Sequence, residues 1–153
     1  MDALAIAVLA ALLGVVGGFL AARHIDRLGA RRVAYTAYIG AVEVAGWDLR
    51  RRLLGIRDHP EARPWPPMPD ARQVNGPLGE MWTVAPPGMM AVVDRMQDHL
   101  KEMEIVAAVP SQATADVITD LLKKFDDLRE ELVNLARSQS GERHLPLSTF
   151  RRY

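Results

Sequence analysis

Ala3 to Ala22 reads ALAIAVLAALLGVVGGFLAA, twenty residues with neither a charge nor a hydroxyl. A helix of that length spans about 30 Å, the thickness of the hydrocarbon core of a bilayer. A buried soluble helix as long would normally carry a polar stripe, and this stretch has none. The pattern predicts a transmembrane helix closing a segment 1–22. A cleavable export signal fits less well: the chain starts Met1-Asp2 rather than with a basic run, and the apolar stretch is too long.

From Arg23 to Arg57 the pattern turns amphipathic. Tyr35, Tyr38, Ile39, Val42, Ala45, Leu49 and Leu53 recur at three- and four-residue steps, which predicts a second helix over 23–57 with Gly29 as the place for a bend. Val33 to Trp47 holds one charge, Glu43, but is too short to cross a membrane. Arginine clusters flank both its ends (Arg31-Arg32 and Arg50-Arg51-Arg52), and a crossing would strand one of them on the wrong side. Two readings stay open here. The helix lies in the membrane interface with Tyr35, Tyr38 and Trp47 at head-group depth, or it packs its stripe against the rest of the chain.

Asp58 to Pro87 interrupts the periodicity. Eight of the ten prolines fall in this stretch, together with Asn75, Gly76 and Gly79. Proline fixes φ and lacks a donor, so a linker of extended and turning chain is predicted over 58–87. Glu80 to Ala85 reads as a short extended piece that tucks Trp82 onto the helices. Arg63-Pro-Trp-Pro-Pro-Met-Pro69 also has the R-x-x-P-x-x-P form taken by grooves that bind polyproline helix, although a stiff linker is the plainer explanation.

Helical periodicity then returns more strongly. Met89, Val93, Met96, Leu100, Met103 and Ala107 form a heptad seam that opens after Pro87-Gly88 and stops at Pro110. After a turn at Val109-Pro110-Ser111, with Ser111 or Thr114 as cap, Ile118, Leu121, Phe125, Leu128, Leu132 and Leu135 form a second seam. Gly141 is the expected stop. An antiparallel helical hairpin over 88–140 follows, coiled-coil-like, whose seams meet each other, the 30–57 helix or a partner helix. Lys123 with Asp127 and Asp126 with Arg129 are expected as neighbour pairs on its outer face. Residues 141–153 form a basic tail for which fraying is the default.

Charge changes this picture by giving it a direction. Residues 1–57 carry eight arginines against four acids, and residues 58–153 carry eleven basic groups against fifteen acids. Arg23, Arg27, Arg31 and Arg32 follow the apolar segment at once, which places the amino terminus outside and the body in the cytoplasm. These four arginines suit anionic lipid head groups. The acidic distal half argues against nucleic acid as a partner. Within the apolar segment, Ala10, Gly14, Gly18 and Ala22 set small residues four apart, a face on which two such helices can pack closely in lipid. Arginine outnumbers lysine sixteen to three, a bias of GC-rich bacterial or phage genomes.

Candidate chemistry is sparse. With no cysteine there is no disulfide, thiolate site or cysteine nucleophile. Asp94, Asp98, His99 and Glu102 cluster at helical spacing, with Asp116 and Asp120 as the nearest possible ligands on a second helix. They lie off the seam, so a solvated face is the simpler reading. Six of the seven methionines fall between Met68 and Met103, and three of them sit seven apart in the seam, as core packing requires. Phosphate loops and nucleophile–base orders are absent. The expectation is therefore an all-α, single-pass membrane protein without cofactor, metal or small-molecule substrate. It acts by binding, as a subunit or adaptor of a membrane complex that associates with itself or with a helical partner. The alternative, of another class, is a membrane-permeabilising protein of the phage lysis type that assembles through Ala3–Ala22.

Overall fold

The two amino-terminal patterns share one helix. In the computed structural model, α1 runs unbroken from Ala3 to Asp58, 56 residues and about 84 Å at 1.5 Å per residue. The structure describes the backbone of residues 3–61, 71–110 and 113–140, and their side chains except for 3–19 and 71–72. Gly29 does not interrupt the helix. One interior glycine costs a helix only about 0.5–1 kcal/mol, too little to break a run otherwise rich in alanine, leucine and arginine. α1 stops two residues before Pro60, the first proline of the chain, with His59 N–H donating to the Gly55 carbonyl at 3.0 Å.

Part of the predicted linker is helical. A 3-10 turn at Ala71–Val74 leads into α2, Asn75–Val84. Pro77 falls in the first turn, where its missing donor would be unpaired anyway. Glu80–Val84 is therefore helix rather than extended chain, and its tryptophan points away: Trp82 is 63% exposed while Met81 is buried. Pro86 and Pro87 then hold Ala85 and Pro86 extended and start α3, Pro87–Ala108. α4 spans Ala115–Ser140. Thr114 Oγ1 accepts from Val117 N–H at 3.4 Å in the manner of an N-cap, whereas Ser111 and Gly141 lie outside the described residues. Among the described residues there are four α-helices and no strand.

The carboxyl-terminal half of α1 packs with α3 and α4, and α2 packs on α1. Contacts along the helices fix their directions. Tyr38 meets Val93 and Gln97 while Arg52 meets Ala107, so α1 and α3 run parallel. Tyr35 meets Gln139 and Arg50 meets Asp126, so α4 runs antiparallel to α1. The predicted hairpin of α3 and α4 is present, with Arg95 on Glu131 near one end and Lys124 on Glu102 near the other. Arg31 donates to the Val84 carbonyl at 3.0 Å, which sets the end of α2 beside the start of the packed part of α1.

The α1 stripe closes over the hairpin seam. Tyr35, Tyr38, Ile39, Val42, Ala45, Leu49, Leu53 and Ile56 are all buried, in one core with the seam residues of α3 and α4. Tyr35 and Tyr38 are thus packed against the chain itself and not laid at head-group depth. Trp47 alone of the three faces outward, with the Arg50 guanidinium 5.8 Å from its ring centroid. Gln97 Nε2 donates to the Tyr38 hydroxyl at 3.0 Å, and burial pushes that phenol up to about 12. Burial raises Tyr35 as well, against the opposing pull of Arg31. The unfolded phenol titrates near its ordinary value of 10.0, so stability from neutral Tyr38 is complete below that pH. It is lost as pH rises from there through about 12. In an alkaline titration followed by phenolate absorbance, two of the three tyrosines should ionise late, together with unfolding.

Candidate functional site

α1 leaves the bundle at Arg31 and continues alone. From Leu20 to Ala30 its side chains are exposed apart from the partly buried Leu28, and Ile25 and Leu20 are open large apolar groups. Over these residues the helix draws little support from the packing of the rest of the chain. Among the described residues no helix is long and apolar enough to cross a membrane. Most of Ala3–Ala22 falls outside those side chains: Ala10, Gly14 and Gly18 lie outside them, and Ala22 is exposed.

The four arginines predicted at the lipid surface divide. Arg23, Arg27 and Arg32 are exposed, while Arg31 is half-buried through its bond to the end of α2. They therefore crown the end of the bundle from which α1 projects. That same end carries the last turns of α2 and α4.

The seam residues predicted to meet a partner helix face the core of their own chain. Met89, Val93, Met96, Leu100 and Met103 on α3 are buried, as are Ile118, Leu121, Phe125, Leu128 and Leu132 on α4; Leu135 is half-buried. Phe125 is buried against Gly46 of α1. A Cβ built on Gly46 would collide with its ring, 2.6 Å from Cε2 and 2.8 Å from Cε1, so glycine there is what lets α4 approach. Beside it, Glu43 is buried and receives Arg129, whose Nε donates to Oε1 at 3.0 Å and whose Nη2 joins the same oxygen. Arg50 donates to both oxygens of Asp126, at 3.0 and 3.1 Å. Asp126 and Arg129 thus bind α1 rather than each other on the outer face. Charge alone could not reveal this, because the partner lies some eighty residues away in sequence.

His99 is also a correction. It is buried between α3 and α4, with Nε2 2.9 Å from the Leu121 carbonyl and Nδ1 3.2 Å from Glu102 Oε2. Glu102 also receives Lys124 at 3.1 Å. The Lys124 hydrogen bond first, and His99 second, hold the Glu102 carboxyl below its usual range. Asp94 and Asp98 are exposed on α3, and Asp116 and Asp120 are exposed near the start of α4. No group of three His, Asp or Glu among the described residues could hold a metal ion. The cluster is an interhelical clamp built around a core histidine.

One surface went unnoticed in the sequence. Val33, Thr36, Ala37, Val44 and Trp47 are exposed along α1, on the side away from the buried stripe. The signal was available as a second apolar period interleaved with the first, hidden because the stronger stripe accounts for the same helix. Comparison with family models, with curated proteins and with solved structures finds no match for this chain.

Proposed function

We propose that the chain is a single-pass membrane protein whose helical body binds another protein and performs no catalysis, as a subunit or adaptor of a membrane complex. Ala3–Ala22 crosses the bilayer with the amino terminus outside. Arg23, Arg27, Arg31 and Arg32 hold the cytoplasmic side and meet lipid head groups. The bundle stands on the cytoplasmic face. One observation carries this reading: α1 projects from the bundle as a lone helix and runs without a break into a twenty-residue uncharged sequence.

An unbroken helix also ties the anchor to the body more stiffly than a flexible linker would. A protein of the lysis type, which acts by lateral assembly in lipid, has no need of the packed core that occupies most of this chain. The core therefore favours a binding role.

Protease access to a carboxyl-terminal tag tests the arrangement, with intact and lysed spheroplasts compared and membranes washed in carbonate. Protection until lysis, with the tag retained in the pellet, is the expected result. Cleavage on intact spheroplasts would reverse the orientation, and release by carbonate would remove the anchor altogether.

A further inference from the structure

We propose that His99, Glu102 and Lys124 form a proton-operated latch between α3 and α4, closed when the imidazole carries two protons and released at Glu102 when it is neutral. The inference stands on the packed bundle alone and does not depend on the anchor.

The ring has an acceptor on each side. Nε2 lies 2.9 Å from the Leu121 carbonyl, and Nδ1 lies 3.2 Å from Glu102 Oε2. A carbonyl only accepts, so Nε2 carries a proton in either charge state. An ionised carboxylate also only accepts, and Lys124 Nζ, 3.1 Å from that same oxygen, favours the ionised form of Glu102. Nδ1 can therefore bond to Glu102 only by carrying the second proton. In the neutral ring its lone pair faces the carboxylate, and the contact is lost.

The two partners differ in their freedom to respond. The His99 side chain is 1% exposed and that of Glu102 is 52% exposed. The ring is held between the helices, so the carboxylate is the part that moves, outward and with Lys124. Histidine is the side chain whose charge ordinarily changes between about pH 5 and 8. His24 and His59 are exposed, which leaves His99 as the buried histidine among the described residues.

Other charges on the three packed helices are engaged elsewhere or open to solvent. On α3, Asp94 is exposed and Asp98 pairs with Lys101. On α4, Asp120 and Lys123 are exposed beside Leu121 and Lys124. On α1, Glu43, Asp48 and Arg50 are taken by Arg129, Arg51 and Asp126.

The direction follows from the acceptors. Two of them hold the protonated ring in the bundle, and water alone holds it in the unfolded chain. The stabilisation is complete below about pH 6.5, where an unfolded imidazole is protonated, and is lost as pH rises above it. A fall in pH thus tightens the hairpin of α3 and α4.

Urea unfolding of the full chain in mild detergent, at about pH 5.5 and about pH 8, tests the latch across the histidine range. Glu102→Ala changes a half-exposed side chain and leaves the core packing in place. At the lower pH it removes a hydrogen bond to a charged ring and should lower the folding equilibrium constant about tenfold. At the higher pH only the Lys124 pair is lost, and the change should stay below about threefold. Lys124→Ala removes that pair alone and should have the same small effect at both pH values. Nitrogen NMR of the parent chain should show both His99 nitrogens protonated at the lower pH and Nε2 alone at the higher. An equal loss for Glu102→Ala at the two pH values, or a His99 ring in one protonation state across the range, would overturn the proposal.

Discussion

Phe125→Ala is expected to cost the bundle about 3–5 kcal/mol, the largest loss from any one side chain of α4. The ring is buried against Gly46 of α1, and the helices on both sides limit how far the cavity can collapse. The same contact makes the smallest possible addition harmful from the other side. Gly46→Ala sets a methyl into the ring and is expected to cost about 1–3 kcal/mol, although alanine is the better helix former. A smaller residue at position 125 should relieve it, so Gly46→Ala combined with Phe125→Leu should lose less than the two single changes added together. Urea unfolding of the full chain in mild detergent, followed by tryptophan fluorescence, measures all four proteins. Strict additivity would show that the helices separate to admit the methyl and that the close approach is not what holds them.

The second large effect is at Glu43 and Arg129. Glu43 is buried, so Arg129→Ala leaves a carboxylate in the core without its partner, at a cost of about 3 kcal/mol. Exposure of the arginine side chain to solvent keeps the figure at the lower end of that range. Glu43→Met together with Arg129→Met should recover most of the loss, because removing both charges also removes the desolvation penalty. If the double change were as unstable as Arg129→Ala, the two methionines would be failing to fill the space, and the role of the pair would be packing. Arg50→Ala at the exposed Asp126 pair is the natural control, expected to cost less than about 1 kcal/mol.

Local pattern explains most of what could be read before the structure. α3 and α4 follow from two uninterrupted heptad seams, and Pro86, Pro87 and Pro110 mark where they start and stop. The periodic stripe of α1 names the face it buries, since period alone records which side of a helix is apolar. The miss at α2 was local too. Val74, Leu78, Met81 and Ala85 keep helical spacing, but Gly76, Pro77 and Gly79 among them argue for a turn. A proline in the first turn of a helix does no harm, and burial of Val74 and Met81 against α1 outweighs two glycines.

What the chain by itself determined is therefore the two hairpin helices α3 and α4 with the apolar side of each, the buried stripe of α1 and the uncharged run of Ala3–Ala22. Only the tertiary structure decided which face met which. His99 became a core residue because α4 brings the Leu121 carbonyl to it, and Asp126 and Arg129 turned to α1 because Arg50 and Glu43 arrive there. The cause is the distance along the chain. Capping, periodicity and charge spacing act over one or two turns, whereas the pairing of α1 with α4 joins residues nearly ninety apart. No local pattern carries that pairing. It is set by the packing of Phe125 on Gly46 and by burial of Glu43 with a partner, and it leaves one side of α1 uncovered.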